Sequence, residues 1–143
     1  MITGFTIQSV EGKIESPESL AKQRFPRINV NIEDVKSEHE KVTVSYSFIA
    51  EYYDSDTKSQ KSVGQMKLAG IVEIKDTKEK MSNIMKVWDE KKILPTDIAE
   101  EVMNGLNFRC SATGTLVAYS LGLIPPLGIS QIKIQEEGQS TKQ

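Results

Sequence analysis

Cysteine and histidine are nearly missing from this chain: Cys110 and His39 are the sole residues of their kinds. One thiol allows no intramolecular disulfide and no multi-cysteine metal site. One imidazole, set in the polar run Glu38-His39-Glu40-Lys41, comes with no oriented partner and no visible nucleophile. His39 therefore reads as an exposed turn residue. An excess of charge of one sign is also lacking, since 18 Lys and Arg face 20 Asp and Glu for a net charge of −2. Nucleic acid binding usually needs a basic face, so none is expected. Long apolar runs are absent too. The most apolar stretch, Leu116 to Ile129, is shorter than the roughly 20 residues of a bilayer span, and Pro125-Pro126 interrupts it. No membrane span is expected. The opening Met1-Ile2-Thr3-Gly4 lacks the charged and apolar regions of a signal peptide, which points to the reducing cytoplasm.

Chemistry-bearing constellations are equally scarce. No phosphate loop or dinucleotide fingerprint occurs, and Glu38, Glu40 and Glu51 are too scattered for a carboxylate pair or metal cluster. Cys110 falls on an apolar helical stripe, where a free thiol is usually buried and inert. The expectation is a protein with no catalytic residue, no metal and no cofactor, hence not an enzyme. What is present is the make-up of one ordinary soluble domain: 143 residues, 38% hydrophobic and 27% charged.

The first half carries period-two alternation, which puts one apolar and one polar face on a strand. Ile28, Val30 and Ile32 alternate with Arg27, Asn29, Asn31 and Glu33; Val42, Val44, Tyr46 and Phe48 alternate with Thr43, Ser45 and Ser47. Residues 38–41 between these runs suit a hairpin. A further run from Val63 to Ile74 sets Met66, Leu68, Val72 and Ile74 on one face, and an earlier one starts at Phe5 and Ile7 with a bend expected near Gly12. Asp54 to Lys61 reads as a solvated loop. Ile49, Tyr53 and Ile71 interrupt the polar faces of their strands, either as ordinary surface apolar residues or as the floor of a groove.

The second half carries helical spacing. Met81, Ile84, Met85 and Trp88 share one face, behind an expected capping pair Asp76 and Glu79 and before Lys91-Lys92. Pro95 opens a second helix with Asp97, Glu100 and Glu101 in its first turn, and a stripe through Ile98, Val102, Leu106, Cys110, Val117 and Leu121 runs to Gly122. Gly105 and Gly114 are candidate breaks. The predicted fold is α+β: a four-stranded antiparallel sheet followed by two helices packed on one face, over residues 1–134, with a polar tail at 135–143. Met81, Ile84, Met85 and Trp88, with the Leu123–Leu127 segment, amount to more apolar surface than one sheet face is expected to cover. Such a surplus points to a partner interface or a binding groove.

Phe5-x-Ile7-Gln8, the run Leu68-Ala69-Gly70-Ile71-Val72-Glu73-Ile74, Ile93-Leu94-Pro95 and Leu123-Ile124-Pro125-Pro126-Leu127, in this order, resemble the SecB family of protein-export chaperones over roughly residues 5 to 134. The resemblance implies an ATP-independent holdase that binds unfolded or precursor polypeptides in apolar grooves, assembled as a homotetramer, a dimer of dimers with helices sandwiched between two sheets. On that basis Ile49, Tyr53, Ile71, Leu94, Ile124 and Leu127 are groove candidates, and Met81, Ile84, Met85 and Trp88 are interface candidates. Family members dock the SecA translocase motor through acids on the open sheet face. Here Gln65 stands where the family carries a key Glu, with Lys67 two residues on. Glu15 falls near another of the family's acids but has Gly12 and Lys13 at the neighbouring positions, so SecA docking is expected to be weak or absent. A different reading stays open: a monomeric carrier gripping a small apolar ligand between a curved sheet and a long helix.

Overall fold

A computed structural model describes residues 1–56 and 60–127 of the chain. The expected tail at 135–143 and the middle of the 54–61 loop lie outside the described residues. Four strands, β1 (Ile2–Ile14), β2 (Arg27–Glu38), β3 (Lys41–Tyr53) and β4 (Ser62–Ile74), form one antiparallel sheet in the order β1-β4-β3-β2. Two helices follow, α1 (Lys78–Lys91) and α2 (Thr96–Leu121). This is the expected α+β arrangement.

Alternation sets the two faces. The even residues of β3 (Val42, Val44, Tyr46, Phe48, Ala50 and Tyr52) stand beside Ile74, Val72, Gly70, Leu68, Met66 and Gly64 of β4. Those apolar side chains are buried beneath the helices. The odd residues face away. Chain reversal between β2 and β3 is a two-residue turn with His39 at φ 47° and Glu40 at φ 64°, the left-handed pair that suits the twist of a hairpin. β1 does not bend away at Gly12; it runs through to Ile14, and its irregularities fall at Ile2/Gly4 and Ile7/Ser9 instead.

Thr77, not Asp76, caps α1: its hydroxyl accepts from the Lys80 N–H at 3.2 Å. Lys92, in the left-handed region, closes the helix. α2 runs unbroken for 26 residues, about 39 Å at 1.5 Å per residue. Gly105 and Gly114 do not interrupt it, because each serves a close approach. A side chain at Gly105 would overlap the Phe5 ring, and one at Gly114 would meet Pro126 Cγ at 2.7 Å and Met66 Sδ at 3.2 Å. Gly122, at φ 76°, ends α2 in a left-handed cap.

The sheet covers more than its sequence patterns suggested. Ile84 is fully buried and Trp88 is only 7% exposed, both within their own chain. Alternation is legible over about eight residues in each of β2 and β3, which run for 12 and 13, while the Val63–Ile74 run nearly matches β4. At about 3.3 Å per residue each reaches some 40 Å, long enough to seat α1 and α2 together. Among the interface candidates only Met81 and Met85 keep part of their surface, in an open cleft of about 470 Å³ with Ser37, Lys78, Ser82, Lys86 and Asp89.

Candidate functional site

The candidate binding surface is built where the crossover between β1 and β2 meets the segment after α2. The crossover contains a 3-10 turn, Pro17–Lys22, which no periodicity in the sequence marks; proline at its start is the one local signal. It passes the ends of β3 and β4, where Ser16 N–H donates to Val63 O, Ser55 N–H to Lys22 O and Arg24 N–H to Tyr53 O. Gln23 then joins it to the far end of the chain. Its Nε2 donates to Leu20 O at 2.8 Å and to Gly122 O at 2.9 Å, while its Oε1 accepts from Ile124 N–H at 2.7 Å. Tyr52 completes the clasp by donating its hydroxyl to Ile124 O at 2.7 Å. Burial pushes the Tyr52 phenol up to about 12, so the donor keeps its proton at neutral pH.

Both backbone polar groups of Ile124 are thus held, Pro126 is wedged against Gly114, and Leu127 emerges 47% exposed. Gln23→Ala should free Ile124 N–H and Gly122 O at once, at a cost of about 1–3 kcal/mol. Hydrogen exchange at the Ile124 amide should accelerate while central β3 amides keep their protection. Unchanged exchange at Ile124 would show that Gln23 does not hold the segment.

The six groove candidates do not converge. Ile49, Tyr53 and Ile71 lie on the face of the sheet turned away from the helices, as odd positions must when the even ones are buried. Ile49 sits between Asn29 and Lys67, and Ile71 between Ser45 and Thr6. Leu94 is buried in the core ahead of α2, whereas Ile124 and Leu127 stand on the clasped rim. One strand-bearing face and one helix-bearing rim are therefore separate surfaces. On the open face, Lys13 pairs with Gln65 and Glu11 with Lys67 around a shallow cleft of about 330 Å³.

Three of the most exposed large apolar side chains among the described residues lie elsewhere, on the outer face of α2. Phe108, Leu116 and Tyr119 are 78%, 70% and 75% exposed, and Ala112 lies between them. Steps of four, four and three residues put these side chains on one stripe. The signal was present in the sequence, but the stronger stripe through Leu106 and Cys110 on the opposite side concealed it.

Cys110 is fully buried, and burial pushes its thiol up to about 11 against the opposing influence of the nearby Tyr46 hydroxyl. At neutral pH it stays protonated and weakly nucleophilic. Tyr46, whose phenol burial also raises, donates its hydroxyl to Thr6 O at 3.1 Å and so ties β3 to β1. Among the described residues no group of three or more His, Cys, Asp or Glu side chains is placed to hold a metal, and no helix is long and apolar enough to cross a membrane.

No protein-family model and no curated protein matches the chain. Among solved structures, it is similar to the Mycobacterium tuberculosis Rv1957 SecB-like chaperone, determined in complex with a ChAD peptide from the Rv1956 HigA1 antitoxin. The two share 11% identity at a TM-score of 0.51, over 92% of this chain and 90% of that one. The likeness is one of fold: a SecB-like sheet followed by helices.

Proposed function

We propose that the protein is an ATP-independent holdase of the cytoplasm that binds unfolded or precursor polypeptides and works as a homotetramer. The observation that carries this reading is the placement of exposed apolar side chains on two distinct surfaces, the outer stripe of α2 and the clasped rim ending at Leu127. The α2 stripe suits a second copy of the chain. A straight helical face can pack on itself about a twofold axis, with the same residues contributed by both sides. The rim suits a client. Its backbone is pinned, so contact with an extended segment orders little that is not already ordered. Many weak contacts of this kind along one client add through effective concentration. The chaperone of the same fold, solved with an antitoxin peptide, supports the reading.

A SecA-type motor is not part of the proposal, because Lys13 and Lys67 flank Gln65 on the open face where a docking site for that motor would need acids. The monomeric carrier fits less well. The space it needs between sheet and α2 is taken up by direct contacts of Gly105 with Phe5, of Gly114 with Met66, and of Val117 and Leu121 with Gly12.

The test is dilution of a chemically unfolded client, with light scattering followed with and without ATP. Wild type should suppress aggregation equally in both. Ile124→Asp with Leu127→Asp should lose most of that protection while still assembling like wild type, since charge at the rim opposes apolar contact. Leu127→Asp alone, at the exposed position, should weaken it without a change in melting. Scattering as fast as the client alone would end the holdase reading. Full protection by the double variant would move the client surface elsewhere.

A further inference from the structure

At the crossover end of the open face, two guanidinium groups converge on one ring. The Arg24 and Arg27 guanidiniums lie 5.9 Å and 5.5 Å from the Tyr53 centroid. Backbone pairing sets this arrangement: Arg24 N–H donates to Tyr53 O at 2.8 Å, and Arg27 stands opposite Glu51 on β3. Glu51 Oε2 accepts the Tyr53 hydroxyl at 2.6 Å, and Glu51 makes no ion pair with either arginine. Among the described residues neither arginine forms an ion pair. Arg24 Nε is buried and has no hydrogen-bond partner, which is costly for a charged donor. Phe25, between the two arginines in sequence, is 60% exposed.

We propose that Arg24 and Arg27, held on Tyr53, form a carboxylate-binding site for an Asp or Glu side chain of an extended polypeptide, with Phe25 contacting the apolar residue beside it. This rests on polypeptide binding as the function and names a feature of the client. The planar fork of arginine suits a carboxylate in two-point contact, and stacking on Tyr53 fixes the fork in advance. A polypeptide fits better than a free anion because Phe25, next to Arg24 in sequence, offers exposed apolar surface. A single carboxylate fits better than a multiply charged phosphate because Glu51 and Glu15 stand near the same ring.

The experiment compares two fluorescent peptides by anisotropy against the full chain, one carrying Asp beside Phe and the other Asn beside Phe. Wild type should bind the Asp peptide about tenfold more tightly, the worth of a charge-assisted contact. The gap should narrow as salt rises. It should shrink in Arg27→Gln, an exposed position where folding is not at risk, and vanish in Arg24→Gln with Arg27→Gln. Equal affinities in wild type would overturn the site while leaving polypeptide binding intact, and so would a gap that survives the double substitution. Inorganic phosphate that erases the gap at matched ionic strength would assign the arginines to a free anion and overturn the proposal. Binding of neither peptide would remove the holdase reading together with it.

Discussion

Leu116→Glu combined with Tyr119→Glu should at least halve the mass of the native particle. By light scattering at micromolar concentration, wild type should show four times the 16.0 kDa of the chain, and the variant two chains or one. Both side chains are 70% exposed or more in the protomer, so the substitutions leave the core untouched. Burying each in a dry helix–helix contact contributes about 1.5–3 kcal/mol, and replacing it with a carboxylate adds a desolvation cost to that loss. Trp88 supplies the contrast. Trp88 and Ile84 of the α1 stripe are buried within their own chain, so Trp88→Ala should cost about 3–5 kcal/mol in folding without changing the mass of the folded fraction. A wild-type monomer would remove the assembly, and dissociation by Trp88→Ala without destabilisation would return the interface to α1.

Gly70→Ala and Gly4→Ala should move stability in opposite directions. A side chain at Gly70 would overlap Thr6 O of the neighbouring strand and come within 2.9 Å of Tyr46 Oη. Backbone cannot yield as a flexible side chain does, so β1 must shift and the Tyr46–Thr6 hydrogen bond must break. Overpacking and the lost bond together should cost about 3–5 kcal/mol. At Gly4 nothing lies within 4 Å of the added carbon, and φ is not positive. There alanine restricts the unfolded chain and should stabilise by about 0.4–1 kcal/mol. Urea denaturation at matched protein concentration reads both, matching being necessary because assembly couples stability to concentration. Equal effects at the two positions would contradict the β1–β4 register.

Local periodicity determined a good deal of this protein. Period-two runs around Ile28–Ile32, Val42–Phe48 and Met66–Ile74 placed three strands and their buried faces, because a strand's alternation needs only neighbours in sequence. The spacing of Ile84 and Trp88, Pro95 at the start of α2 and Gly122 at its end placed the helices for the same reason. The tertiary structure decided everything that depends on what a residue is packed against. Gly105 and Gly114 read as breaks but are contact points, because the sequence does not show Phe5 or Pro126 arriving at them. Ile49 and Ile124 read as one groove but stand on different surfaces, since their facing depends on which side of the sheet the helices cover. Gln23 reaches across 99 and 101 residues to Gly122 and Ile124, a distance at which no periodicity carries information. Exposure is likewise a sum over non-local neighbours. The stripe of Phe108, Leu116 and Tyr119 became visible only once the opposite side of α2 was seen to be spent on the sheet.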